Sequence, residues 1–207
     1  MKLFRRNEIA PFLAKIDQDR LRDIQRRYAG SSDRYTKYAD VERWLRINIR
    51  RAHDLKLDRG KPKQILDLGC GAGFFLFVAK HYGHAGLGLD VDDFAVSNEL
   101  IGLFGIERVK WRIRALQPLP NFGRQFNLIT GFSTAFNRSE GESRGWSADE
   151  WSFFLDELNQ RLEPYGEIFF EINSGKDGRY FSGEIRELFL RRGGRVNGEF
   201  VRFPGKL

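Results

Sequence analysis

The chain of 207 residues contains one cysteine, Cys70. An internal disulfide therefore cannot form, and a cysteine-rich zinc site is excluded. Long apolar runs are missing too. The opening stretch MKLFRRNEIAPFLAKIDQDR is broken by charge throughout and fits neither a signal peptide nor a membrane span. The expectation is a soluble, cytoplasmic protein with no membrane span and no metal. Internal repeats, low-complexity tracts and linkers long enough to split the core are also lacking. A chain of this length can bury roughly 70% of its unfolded surface, so it needs no covalent staple.

Aromatic residues are plentiful: 19 Phe, 4 Trp and 6 Tyr suit a packed core and an aromatic-lined pocket. The formal net charge is +7, and its distribution is uneven. Residues 1–60 hold 16 Lys/Arg against 9 Asp/Glu, whereas residues 61–207 hold 19 of each. The imbalance belongs to the first sixty residues; such a segment can steer anionic ligands, but a solvated helical face is the more common reading.

Apolar spacing predicts an amphipathic helix over residues 11–29, a stop at Gly30-Ser31-Ser32-Asp33, and a second helix over residues 39–57. Beyond Asp58-Arg59-Gly60-Lys61-Pro62 the pattern becomes short apolar runs alternating with helical segments. Strands are expected at Gln64–Leu68, Ala85–Leu89 (ending at Asp90), Val109–Ile113, Phe126–Gly131 and Glu167–Ile172. A short terminal strand falls within Gly194–Phe203, where Asn197-Gly198 suits a tight hairpin. Helices are expected over 74–82, 92–104, Ser147–Arg161 and Phe181–Arg191. The third of these opens on the capping box Ser147-Ala148-Asp149-Glu150. Strands separated by helices predict an α/β fold: a doubly wound, mostly parallel sheet of 6–7 strands with helices on both faces. The division is a helical cap over 1–60 and a sheet domain over 61–207.

The first strand runs directly into Gly69-Cys70-Gly71-Ala72-Gly73. Glycines there let the backbone turn sharply and approach a ligand, and the next helix offers free N–H groups. The second strand ends in Asp90, placed to accept ribose hydroxyls as in dinucleotide sites. Phe74 stands where the dinucleotide fingerprint needs Gly or Ala, and the Walker Gly-Lys-Ser/Thr is absent. Asp67, inside the strand end, would repel a pyrophosphate and welcome an ammonium group. A ligand with a ribose at one end and a cationic amino acid at the other satisfies both carboxylates.

These segments resemble the class I S-adenosylmethionine-dependent methyltransferases. Ile65-Leu66-Asp67-Leu68-Gly69-Cys70-Gly71-Ala72-Gly73-Phe74 is similar to that family's first motif, and Gly86-Leu87-Gly88-Leu89-Asp90 to its acidic second-strand end. Phe126-Asn127-Leu128-Ile129-Thr130 resembles the fourth strand, and Leu162-Glu163-Pro164-Tyr165-Gly166-Glu167-Ile168 the segment before the fifth. The resemblance covers about residues 62–203 and implies a Rossmann-like methyltransferase fold with S-adenosylmethionine as cofactor. It implies that Asp67, Gly69, Cys70, Gly71 and Gly73 hold the methionine portion. By the same resemblance Asp90 binds the ribose, Val91 packs on adenine, Arg114-Ala115-Leu116 flank the adenine edge, and Phe132 lies near the sulfonium. Three positions depart from the pattern: Arg114 where relatives carry Asp or Asn, Asn127 where an Asp is common, and Tyr165 in place of a glycine. With about 35 residues after the fifth strand, a shortened or missing terminal hairpin is a further expectation.

The acceptor is expected to be a small molecule methylated on O or N, with its pocket built by the N-terminal helices and the loop from Ala135 to Trp146. Tyr28, Tyr35 and Tyr38, beside Arg34 and Lys37, are candidates to cap the cofactor site. His53, His81 and His84 carry no catalytic signal, and no catalytic residue is assigned. Nucleic-acid base methylation is disfavoured. The Asp/Asn-Pro-Pro-aromatic segment of exocyclic-amine enzymes is replaced by Gly131-Phe132-Ser133-Thr134-Ala135-Phe136, and Cys70 is trapped in the cofactor loop. Two alternatives stay open: an RNA O-methyltransferase using the basic N-terminal segment, and a non-catalytic S-adenosylmethionine-binding regulatory protein.

Overall fold

A computed structural model describes residues 8–31, 34–91, 93–134, 136–137, 145–175 and 177–207, apart from the side chains of residues 34, 35 and 134. At its centre is β1 (Gln64–Leu68), the run QILDL, buried at every position after the first. A strand so apolar is stable only when both faces are covered. It pairs in parallel with β2 (Ala85–Asp90) on one side and β4 (Phe126–Thr134) on the other. Outside β2 lies the short β3 (Arg108–Lys110), and outside β4 lies β5 (Leu162–Ile172), both parallel. An antiparallel hairpin, β6 (Arg195–Asn197) and β7 (Phe200–Phe203), closes the sheet against β5. Among the described residues the strand order is thus β3-β2-β1-β4-β5-β7-β6. The architecture is Rossmann-like, and the winding direction reverses between β1 and β4. That reversal opens a crevice beyond the strand ends.

Strand alternation sorts side chains onto two apolar layers. Ile65 and Leu128 face a layer built by the helices α1 (Ala10–Leu13), α2 (Gln18–Tyr28), α3 (Val41–Asp54), α4 (Phe74–His81) and α5 (Ala95–Phe104). Leu66, Leu68, Ile129 and Phe170 face the opposite layer, built by α6 (Ala148–Arg161) and α7 (Gly183–Arg191). The N-terminal helices are therefore continuous with one face of the core. Leu45 and Ile49 of α3 are buried beside Phe75 and Val78 of α4, each side chain contributing about 1.5–3 kcal/mol.

The helix expected over 11–29 is broken in two. Asp17 leaves helical geometry and accepts hydrogen bonds from the Asp19 and Arg20 amides, which starts α2 afresh. Asp40 likewise caps α3, two residues after the expected start. The Ser147 capping box is present as predicted. The third strand is shorter and earlier than Val109–Ile113. After Lys110 the chain peels away, with only the Trp111 amide still reaching the Asp90 carbonyl at 2.9 Å. The terminal hairpin is complete, and its loop is Gly198-Glu199, one residue later than expected, with Gly198 at φ 58°. β5 starts at Leu162, directly after α6, and the stretch before Glu167 bulges outward, leaving Tyr165 99% exposed. Among the described residues, no helix is long and apolar enough to cross a membrane.

Candidate functional site

Beyond the carboxyl ends of β1, β2 and β4 lies an open cavity of about 930 Å³. That is near the upper end of the ~300–1,000 Å³ usual for ligand sites, with room for more than one small molecule. Its floor is the turn after β1. Gly69, Gly71 and Gly73 adopt φ of 70°, 55° and 78°, a left-handed run that a chain of L side chains resists. The Gly69 amide donates to the Leu89 carbonyl at 2.7 Å, and the Gly73 amide returns to the Cys70 carbonyl at 2.9 Å. This pins the loop between β1 and β2.

Two carboxylates open on the cavity from neighbouring strands. Asp90 accepts the Gly71 amide at 2.6 Å and the Val91 amide at 2.7 Å, so its carboxylate is fixed against the loop. Burial raises its pKa, while those two N–H groups and Arg108 pull the other way. Asp67 is almost completely buried. Burial pushes its pKa up to about 7, against the lowering effect of the Thr130 hydroxyl and of Arg51. A carboxyl held in such a place is short of a cation. The Cys70 thiol is buried, its pKa raised well above the ordinary value, and it is no nucleophile at neutral pH.

Of the residues singled out from sequence, Asp67, Gly69, Cys70, Gly71, Asp90, Val91, Arg114, Ala115 and Phe132 line the cavity. Gly73 and Leu116 do not. Gly73 instead starts α4, and a Cβ there would come within 2.8 Å of Ile101 on α5, so its smallness serves helix packing. Leu116 takes φ 54° at a turn that throws its side chain outward, leaving it 59% exposed. Tyr38 stands over the loop, its hydroxyl 3.7 Å from where a Gly71 Cβ would be, and it packs on Trp44 at 4.7 Å. Tyr28 is bound elsewhere, donating to Glu99 of α5 at 2.8 Å. The side chains of Arg34 and Tyr35, and most of the expected acceptor loop (135 and 138–144), lie outside the described residues.

The cavity has walls that sequence reasoning missed. Trp44, Asn48 and Arg51 of α3 reach into it, as do Phe75, Ser97, Trp111 and Ile113. The helical spacing of α3 marked an apolar stripe but gave no sign of which polar positions turn inward. Trp111 and Ile113, whose composition predicts a strand, form a wall after the chain leaves the sheet. The histidines stay away from the cavity. His84 is buried, accepting the Lys63 amide at 3.0 Å and bonded to the Leu57 carbonyl at 2.8 Å. His81 packs on Phe12, and His53 meets the Tyr82 hydroxyl.

No protein-family model matches the chain, and no curated protein matches it in sequence at a significant level. Solved structures do match in fold. A TehB-like SAM-dependent methyltransferase from Corynebacterium glutamicum is 18% identical, aligned over 85% of this chain and 100% of its own, with a TM-score of 0.56. The N-methyltransferase NodS from Bradyrhizobium japonicum is 16% identical, over 79% of this chain and 97% of its own, at 0.54. The fold is the one these methyltransferases share. An O-methyltransferase family protein from Burkholderia thailandensis is 13% identical, over 96% of this chain and 71% of its own, at 0.50. At such identities the likeness is one of methyltransferase fold, and the chemistry must be argued from the side chains.

Proposed function

We propose that the protein is an S-adenosylmethionine-dependent methyltransferase acting on an O or N atom of a small-molecule acceptor. One observation carries this reading: Asp67, buried, and Asp90, half-buried, stand at the ends of adjacent parallel strands, flank a glycine turn and open on one cavity. The donor set fits the cofactor. Among the described residues no cation is paired directly with Asp67, whose nearest positive influence is Arg51, and an α-ammonium group would supply that partner. Asp90, held by two backbone amides, keeps lone pairs for a pair of ribose hydroxyls. Val91 and Ala115 offer apolar surface to a base, and Gly69–Gly71 leave the backbone bare beside the amino-acid end.

When bound, the cofactor supplies an electrophilic methyl group on a sulfonium. The chain's part is to hold acceptor and methyl in line and to keep the site enclosed. In this reading residues 1–60 are a helical cap whose α3 and Tyr38 wall the site of the 61–207 domain. Within the basic N-terminal segment Arg22, Arg26, Arg27 and Arg46 each pair with a carboxylate, which lowers what these four offer to phosphates.

The test is calorimetric titration with S-adenosylhomocysteine. The wild-type chain should bind, and Asp90→Asn should weaken binding about tenfold or more, the usual worth of hydrogen bonds to a charged group. Unchanged affinity in the variant would overturn the site. Binding to a generic RNA with a steep salt dependence would favour the RNA reading instead.

A further inference from the structure

At the far end of the cavity from Asp90 a second polar cluster joins three elements. Strand alternation sets Phe132 of β4 and Glu171 of β5, a register pair, on the face covered by α3. Arg51 of α3 reaches down between them. Its guanidinium forks onto Glu171, Nε at 3.1 Å and Nη2 at 2.7 Å. Nη2 also donates to Ser133 Oγ at 3.0 Å, and Nη1 to Asn48 at 3.3 Å. The plane lies over the Phe132 ring, 4.5 Å from its centre. Ser133 in turn donates to Glu171 at 2.7 Å.

Ser133 is also strained. It is a non-glycine residue at φ 50°, where the β4–β5 register slips, and Asn173 clamps its carbonyl at 2.6 Å. Left-handed geometry at such a residue costs roughly 1–2 kcal/mol and persists only when its surroundings impose it. Here the twist brings the hydroxyl to the cavity wall.

Counting hydrogen bonds shows what this cluster can still do. Arg51 has spent four of its five N–H donors on Glu171, Ser133 and Asn48. Arg51 and Glu171 match each other's charge, so the pair offers a counter-ion to neither a carboxylate nor an ammonium. The Ser133 hydroxyl has given its proton to Glu171 and accepts one bond from Arg51. One lone pair is left, and it can only accept. We propose that Ser133 is the acceptor-reading residue of the site: its oxygen takes a hydrogen bond from a neutral hydroxyl compound whose apolar body lies against Phe132, Phe75 and Trp44. This rests on the transferase reading above and narrows it to an uncharged acceptor that donates one hydrogen bond, the alcohol or phenol methylated on oxygen being the case put to the test. As the acceptor oxygen bonds the methyl carbon, the methyl–sulfur bond would break with its electron pair left on sulfur, and the hydroxyl proton would pass to Ser133 Oγ while the serine's own proton moves to the Glu171 carboxylate. The O-methylated product has lost that proton, so the bond that holds the substrate is absent from the product.

The experiment uses the whole protein saturated with S-adenosylhomocysteine, and three probes of similar shape: phenol, toluene and benzoate. Phenol should bind about tenfold more tightly than toluene, the worth of one hydrogen bond in a partly solvated site, and more tightly than benzoate. Ser133→Gly removes the hydroxyl without adding backbone strain. It should erase the phenol preference while S-adenosylhomocysteine affinity stays as in the wild type. Glu171→Ala should release Arg51 and reverse the ranking, with benzoate gaining about tenfold, a change that a merely structural Glu171 would not produce. A phenol preference that survives in Ser133→Gly, a wild type that prefers benzoate, or a wild type that takes up no phenol would each overturn the proposal. Failure of the wild type to bind S-adenosylhomocysteine would instead overturn the transferase reading itself.

Discussion

Thr130 Oγ1 donates to Asp67 Oδ1 at 2.7 Å, across a register pair of β1 and β4. A neutral hydroxyl thus satisfies one oxygen of a carboxylate that burial keeps hard to ionise.

The pH dependence follows from that pair. Asp67 has a folded pKa of about 7 against an ordinary 3.8. The folded state therefore holds the proton more tightly than the unfolded chain. The stability from this group is fully present below about pH 3.8 and is lost as pH rises towards 7, roughly 4 kcal/mol in all. Asp67→Asn should accordingly melt higher than wild type at pH 8 and about equally at pH 4, while losing S-adenosylhomocysteine affinity. A variant that melts lower at pH 8 would contradict the burial cost. An ammonium group bound beside Asp67 favours the ionised carboxyl, so ligand uptake near pH 6 should release protons. Calorimetry in buffers of different ionisation enthalpy measures them.

The chain between β3 and β4 is clipped to α6 by an ion pair. Glu157 accepts the Leu119 amide at 2.8 Å, and Arg161 donates to the Leu119 carbonyl at 2.7 Å while lying 3.1 Å from Glu157. Glu157→Ala leaves the guanidinium largely buried without its counter-charge and should cost about 3 kcal/mol in urea unfolding. Because Trp111, Ile113 and Ala115 of the same connection wall the cavity, ligand affinity should fall with it. Unaltered affinity would show that the wall stands without the clip.

His84 provides the contrasting case. Both ring nitrogens are engaged, so His84→Ala should destabilise the fold by about 2 kcal/mol through the two lost bonds. S-adenosylhomocysteine affinity should not change. Loss of binding out of proportion to stability would assign the residue a role at the site after all.

Gly73→Ala tests the role of the third loop glycine. At φ 78°, and with Ile101 Cδ1 2.8 Å from the new methyl, the substitution should cost about 1–2 kcal/mol. Ligand affinity should change less than for Gly71→Ala, whose position lines the cavity. The reverse order would move the ligand towards α4.

Most of the sheet was legible in the sequence because a buried parallel strand announces itself as an apolar run between turn signals. Gln64–Leu68 was read to the residue. The errors fall where tertiary structure overrules local pattern. Asp17 looked like one more charge on a helix face until its side chain capped the next helix. Trp111 and Ile113 have strand composition, yet they face a cavity. In the candidate site, the glycine turn and the two acidic strand ends are compact motifs and could be read directly. Arg51, Asn48 and Ser133 could not. Their meaning comes from pairings such as Arg51 with Glu171, 120 positions apart, which no local spacing encodes.

That Arg51–Glu171 bridge also orders events in time. During synthesis the glycine turn and Asp90 emerge early, and α3 has emerged before them. The cavity's far wall waits for Glu171, and β5 stays an open edge until β7 arrives to pair with it at Phe200–Phe203. Asp67 and Asp90 thus leave the ribosome well before Glu171, the partner on which the Arg51 guanidinium is forked.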